Sequence, residues 1–252
     1  MSSTSPGTAP LPDDIREARL RLARARRVVA LTGAGISAES GVPTFRGADG
    51  LWRNLRAEEL ATPRAFARDP LLVWEWYESR RRRMGSVQPN AGHHALARLE
   101  ARVPEFLLAT QNVDGLHGLA GSKRMVELHG NLWRLRCLGC GAVREDRRAL
   151  EDLPPRCTCS GLLRPDVVWF GEDLPAGALE QAFTAARAAD VVLVVGTSSL
   201  VYPAAAVPEA AISAGAFVVE VNPERTPLSE ACALALRGRS AEILPQIVGG
   251  AA

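Results

Sequence analysis

The sequence predicts an α/β fold in which a parallel, doubly wound sheet is interrupted by a small inserted module. Short apolar runs at Val28–Leu31, Phe106–Ala109, Val191–Val195 and Phe217–Val221 read as buried strands. Helix-compatible segments at Ile15–Arg27 and Ala204–Ala214 alternate with them, as crossovers between parallel strands require. The stretch from 134 to 164 breaks the rhythm, with Cys, Gly and Pro in place of periodic apolar residues. It is expected to be held by something other than a hydrophobic core.

Taken in order, Met1–Asp14 is rich in Ser, Thr, Pro and Gly and reads as a disordered tail. Ile15, Ala18, Leu22 and Ala25 then recur at helical spacing and lead into the first strand. A helix is expected through Trp74–Arg80 and another through Asn90–Arg102, and Met125–Leu128 is a further short apolar run. The 252 residues are 47% hydrophobic and 23% charged, which suffices for one full core plus an appended module. A formal net charge of +2 is too small to support a nucleic-acid or membrane partner. No signal peptide is visible and no apolar run reaches the roughly 20 residues that span a bilayer, so a cytoplasmic protein is expected; it is also expected to be a monomer.

Chemistry is signalled in three places. Gly33-Ala34-Gly35-Ile36-Ser37-Ala38, at the end of the first strand, fits a glycine-rich turn that meets a pyrophosphate. The ribose-binding acid expected about 20 positions later is not supplied by Glu58 or Glu59, so a structural turn stays open as the alternative. Cys137-x-x-Cys140 and Cys157-x-Cys159 are read as four thiolates around one structural zinc ion, closed to water, although the one-residue spacer strains the usual geometry. Cys232 reads as a small buried apolar residue.

The third signal is polar residues where strands end: Thr110-Gln111-Asn112-Val113-Asp114-Gly115, His129-Gly130 and Gly196-Thr197-Ser198. In an open parallel sheet these ends form the ligand crevice, so the groups converge on one site. His93 and His94 read as ordinary helix residues, and His117 as a loop brace.

Together and in this order, these motifs resemble sirtuins. The resemblance runs from Gly33 through Gly47, Thr110–His117, His129-Gly130, the cysteines, Arg164–Glu172, Gly196–Ser199 and Val221–Glu224, and covers about residues 20 to 245. The departure is the shortened Cys157-x-Cys159 pair, where many members have two intervening residues. The resemblance implies a Rossmann-like NAD-binding domain from 15–133 and 165–248. It also implies a zinc-binding module at 134–164, part of a small domain that also includes roughly 40–90.

The implied activity is NAD-dependent removal of acyl groups from protein lysine, giving nicotinamide and O-acyl-ADP-ribose. By this resemblance His129 is the general base, and Asn112 and Asp114 hold the nicotinamide carboxamide and ribose with Gln111 beside them. Gly33, Ala34 and Gly35 meet the pyrophosphate. Thr44, Phe45 and Arg46 serve the ribose and phosphates, with Phe45 shielding the cationic sugar. Gly196, Thr197, Ser198, Asn222, Glu224 and Ser240 line the adenosine side. Val168–Glu172, including Phe170 and Gly171, pairs with the substrate peptide as an added strand.

Tyr77 and Arg80, three apart on one helix, put a phenol and a guanidinium side by side, a pair that suits a carboxylate. The segment resembles class III sirtuins, in which such a pair binds the acid end of succinyl, malonyl or glutaryl lysine, and Ala61 matches their small pocket residue. A solvated basic face over Arg80–Arg83 is the plain alternative, and Arg81 could equally neighbour Tyr77. Acidic acyl groups are therefore expected with some deacetylation. A plain lysine deacetylase, a mono-ADP-ribosyltransferase, a dehydrogenase and a zinc-ribbon nucleic-acid binder are the rival readings.

Overall fold

The computed structural model describes residues 12–42, 51–52 and 55–249. The sequence expectations for residues 1–11 and for Thr44, Phe45 and Arg46 lie outside these. The chain opens with α1 (Pro12–Arg24), β1 (Arg27–Thr32), α2 (Ala34–Ala38), β2 (Leu51–Trp52) and β3 (Leu55–Arg56). Helices α3 (Ala57–Leu60), α4 (Pro63–Arg68), α5 (Pro70–Met84) and α6 (Ala91–Arg102) follow. Next come β4 (Glu105–Thr110), α7 (Leu116–Leu119), β5 (Met125–Glu127), β6 (Gly130–Cys137), β7 (Val143–Glu145) and β8 (Leu163–Val167). The chain closes with α8 (Ala176–Ala188), β9 (Val191–Val195), α9 (Ala206–Ser213), β10 (Phe217–Val221), β11 (Leu234–Leu236) and α10 (Ser240–Val248).

Six strands pair in the order β11-β10-β9-β1-β4-β5, all in parallel. The apolar runs of the sequence are the central strands because each is covered on both faces. Alternation along β1 divides its side chains: Val28 and Ala30 pack with α1, α6 and α10, while Val29 and Leu31 pack with α8 and α9. The strand order reverses between β1 and β9, and the crevice beyond their carboxyl ends is where such sheets take ligands. Helix α1 begins three residues earlier than the sequence predicts. Pro12 opens it and Asp13 and Asp14 sit in its first turn, where proline and acidic groups suit a helix start.

The second layer corrects an expectation. Strands β7-β6-β8 form an antiparallel sheet that does own an apolar core, shared with α3–α5: Leu60, Phe66, Trp74, Tyr77, Leu132, Leu135, Leu163 and Trp169. The partners come from helices about 60 to 90 residues earlier in the chain, so a local window cannot register the burial. Helix α5 is fixed at its start by Asp69, whose carboxylate accepts from Leu72 N–H at 3.0 Å, and by Pro70 in its first turn. That start sets the register of Tyr77 and Arg80.

Candidate functional site

At the reversal point, the turn after β1 packs against the turn after β9. A side-chain carbon on Gly35 would lie 2.7 Å from Gly196 Cα, and Gly196 itself has φ +59, so both positions exclude larger residues. Gly35 N–H donates to Gly196 O at 2.7 Å. Glycine is therefore demanded here by backbone-to-backbone contact. The two turns open onto a cleft of about 2000 Å3, more than a single drug-sized ligand fills. Gly33, Ala34, Gly35, Gln111, Asn112, His129, Gly196, Thr197, Ser198, Asn222 and Glu224 all line it. Ser240 does not. It is buried, and its hydroxyl donates to Glu39 at 2.7 Å, while Arg239, Ala241 and Glu242 face the cleft. Glu58 stands in the wall, whereas Glu59 takes the Arg56 N–H at the start of α3.

Behind Asn112 lies a buried polar network that the sequence does not announce. Ser37 Oγ donates to Asp114 Oδ2 at 2.7 Å and accepts from Asn112 Nδ2 at 3.2 Å. Asn112 also donates to Gly33 O at 2.9 Å, tying the amide to the glycine turn. His93 Nδ1 accepts the Asn90 N–H, so its proton sits on Nε2, facing Ser37 at 3.4 Å. The Thr32 hydroxyl donates to Thr110, so its oxygen takes the His117 Nε2–H at 2.9 Å. His117 Nδ1, also buried, has no partner among the described residues. Burial raises the Asp114 carboxyl, while Leu116 N–H, Ser37 and Arg80 pull it back down. His93 and His117 were read as helix and loop residues; Ser37 was not singled out. Their link spans 56 residues between Ser37 and His93, a separation that no motif bridges.

Burial pushes His93 down to about 4, and His117 well below its ordinary value. Each is neutral when folded and gains a proton more readily when unfolded. The stability they contribute is complete above about pH 6.5 and is lost as the pH falls toward His93's folded value of about 4. Thermal melts are expected to show a Tm several degrees lower at pH 5 than at pH 7; equal values would contradict this burial of neutral rings.

His129 follows β5, on the cleft wall. Its Nδ1 lies 2.9 Å from Gln111 O, a carbonyl that can only accept, so Nδ1 carries the hydrogen and Nε2 keeps its lone pair. Burial lowers its pKa, and the Gln111 carbonyl partly offsets this. The ring is thus a neutral base at pH 7.

Ala61, Tyr77 and Arg80 line the same cleft. Tyr77 is buried and accepts the Trp169 Nε1–H at 2.8 Å. Burial raises its phenol well above the ordinary range, so it keeps its hydrogen. Arg80 is half-buried, its guanidinium 5.3 Å from the Trp76 ring. Burial lowers the Arg80 pKa, and Tyr77 and Asp114 raise it again; an arginine stays charged through this. Arg81 turns the other way. It is buried, pairs with Glu78 at 3.1 Å, and donates to the carbonyls of Leu132, Asp146 and Arg148. The choice that helix spacing leaves open is therefore resolved by packing.

Residues 168–172 run beside this pocket. Val168 N–H donates to His129 O at 2.9 Å and Phe170 N–H to Ala61 O at 2.9 Å. Val168, Phe170 and Gly171 line the cleft, with the Phe170 side chain exposed.

The cysteines converge outside the cleft. All four Sγ atoms lie within 4.8 Å of one another, with Cys137–Cys159 at 3.5 Å and Cys140–Cys157 at 3.8 Å. Zinc–sulfur bonds of about 2.3 Å in a tetrahedron put sulfurs about 3.8 Å apart, so the donor set fits one zinc ion. The one-residue spacer reaches because the chain folds back sharply. Ser160 adopts φ +66, and Gly161 comes so close that a side-chain carbon there would sit 2.8 Å from Cys137 Sγ. With four thiolates the metal would brace β6 and β8 and offer no open position. Zinc chelation is expected to lower Tm by about 10 °C or more, with recovery on adding zinc back; a melt indifferent to chelator would contradict it.

The comparisons with known proteins agree with this geometry. The model of the Sir2 family matches residues 33–203. The chain belongs to the Sir2 family. An NAD-dependent protein deacylase of Aquifex aeolicus is 58% identical over 205 residues, covering 81% of this chain and 86% of that protein. Among solved Sir2-family structures, a Sir2 homologue–NAD complex aligns with a TM-score of 0.88 at 46% identity, over 92% of each chain. A Sir2–p53 peptide–NAD+ complex aligns with a TM-score of 0.83 at 32% identity, over 92% of this chain and 96% of that one. Among the described residues, no helix is long and apolar enough to cross a membrane.

Proposed function

We propose that this chain is an NAD-dependent protein-lysine deacylase that prefers acyl groups ending in a carboxylate and also removes acetyl. The relatives' names, NAD-dependent protein deacylase at 50–58% identity, support the activity. The observation that carries the preference is one shared cleft: Ala61, Tyr77 and Arg80 line it together with Asn112 and His129.

In this reading Gly33, Ala34 and Gly35 hold the pyrophosphate of NAD, and Thr197, Ser198, Asn222 and Glu224 the adenosine side. Asn112 and Gln111 position the nicotinamide end, with Asp114 acting through Ser37 as well as on the ribose. Thr44, Phe45 and Arg46 keep the roles that the resemblance implies. When bound, NAD supplies a sugar carbon that exchanges nicotinamide for the acyl oxygen. His129 Nε2 is the atom that takes the proton from a sugar hydroxyl, held ready by the Nδ1–H bond to Gln111 O. Val168, Phe170 and Gly171 offer the substrate peptide backbone pairing, a mode tolerant of sequence. Arg80 supplies the charged contact to the acyl carboxylate and Tyr77 a neutral hydroxyl donor. Ala61 leaves room. The NAD-binding domain is built on the six-stranded parallel sheet, and the zinc module at 134–164 is part of a small domain that also takes in α3–α5.

The test compares kcat/KM for one peptide carrying succinyl-lysine or acetyl-lysine, with NAD present. Succinyl is expected to exceed acetyl by about tenfold or more, since a charge-assisted contact contributes about 1.5–3 kcal/mol. Acetyl equal to or above succinyl would make the enzyme a plain deacetylase.

A further inference from the structure

The segment after β8 does more than border the cleft. The Arg164 guanidinium lies 3.4 Å over the Trp169 ring and also binds Glu172, with contacts of 2.6 and 2.8 Å. Glu172 in turn accepts the backbone N–H of Trp169 at 2.8 Å. Phe66 also packs against the ring, at 5.2 Å between centroids. Its neighbours Val168 and Phe170 are pinned by their own backbone bonds to His129 and Ala61. The indole is therefore held in one orientation, 2% exposed, with its N–H aimed at the Tyr77 oxygen 2.8 Å away.

We propose that Trp169 is a positioning residue that sets the direction of the Tyr77 hydroxyl, and through it the preference for acyl groups ending in a carboxylate. This rests on the reading of Tyr77 and Arg80 as the carboxylate site. An indole N–H donates and never accepts. With Trp169 donating, the Tyr77 oxygen must be the acceptor, and the phenolic hydrogen must find a different partner. Tyr77 is buried except toward the cleft it lines, and a bound acyl-lysine chain fills that side, so the acyl end beside Arg80 decides whether the hydrogen is met. A carboxylate oxygen beside Arg80 satisfies that hydrogen; the methyl end of an acetyl group does not, and an unmet buried donor costs free energy. Trp169 thus favours the acidic acyl group and penalises the neutral one at the same time. The Arg164 charge stacked on the indole face strengthens its N–H as a donor, and a phenol that accepts a strong bond donates a stronger one.

The experiment measures the ratio of kcat/KM for succinyl-lysine and acetyl-lysine peptides. It uses the wild type, Trp169→Phe, Tyr77→Phe, their double variant, and protein carrying benzothienylalanine at 169. That last residue keeps the bicyclic shape of tryptophan and lacks only the N–H, so it serves even where phenylalanine leaves a cavity that prevents folding. Removing the N–H is expected to lower the succinyl-to-acetyl ratio about tenfold, and about twofold or less once Tyr77 is already phenylalanine. A ratio unchanged by the N–H deletion overturns the assignment. So does a drop that persists undiminished in the Tyr77→Phe background, which would mean that Trp169 acts through packing. If Tyr77→Phe lowers the ratio and the position-169 variants do not, only the Trp169 inference fails. If the wild type shows no preference and Tyr77→Phe changes nothing, the carboxylate reading fails and takes this inference with it.

Discussion

Replacing His129 with alanine is expected to lower kcat/KM for NAD-dependent deacylation by about 10²–10⁴-fold, the range that a positioned general base contributes. The argument rests on a proton inventory. Gln111 O fixes the hydrogen on Nδ1, and burial keeps the ring neutral, so Nε2 is a free base at working pH. The direction of that shift also fixes the shape of the pH profile. A folded pKa below 6.5 places the loss of activity on the acid side of pH 6.5 and leaves a plateau above it. The His129→Ala variant is expected to lose that acid limb along with most of its rate. A wild-type limb centred above pH 6.5, or an alanine variant within a few fold of wild type, would remove His129 from the role.

The second large effect concerns Arg80. Its partly buried charge lies in the cleft with Tyr77, while Arg81, one residue on, is spent on Glu78 and three carbonyls. Truncating one partner of a buried charged pair costs about 2–5 kcal/mol, so Arg80→Met is expected to lower the succinyl-to-acetyl ratio of kcat/KM at least about 30-fold. Arg81→Met should act on the protein as a whole. It leaves Glu78 without its buried cation and three carbonyls without a donor, so Tm falls, and the ratio for the molecules that remain folded stays near wild type. If the two variants exchanged these phenotypes, the assignment of Arg80 to the acyl group would be wrong.

Much of this could be read from the sequence where chemistry and burial are local. Val28–Leu31 and Val191–Val195 announce themselves as central strands because both faces are covered, so every residue is apolar. The cysteine pairs were legible because thiolates for one ion must come from short turns. The one-residue spacer could not be judged until Ser160 and Gly161 revealed the turn that makes it reach. What stayed hidden depends on distance along the chain. The apolar core of the small layer joins α3–α5 to strands far downstream, and Ser37 meets Asp114 and His93 only after β1, β4 and α6 pack. Ser240 was expected at the adenosine and is taken by Glu39, a pairing between residues 201 positions apart. Helix spacing offered Arg80 and Arg81 as equals, and only packing separates them. The Trp169–Tyr77 bond joins residues 92 positions apart and carries no sequence signature of its own.

The most direct test of the central claim is stoichiometry. Purified protein is incubated with NAD and a succinyl-lysine peptide, and free lysine peptide, nicotinamide and O-succinyl-ADP-ribose are quantified together by mass spectrometry. The account predicts that the three accumulate in equal amounts, and that NAD is consumed without forming its reduced form. Nicotinamide released without freed lysine, or ADP-ribose attached to the peptide in place of deacylation, would contradict it.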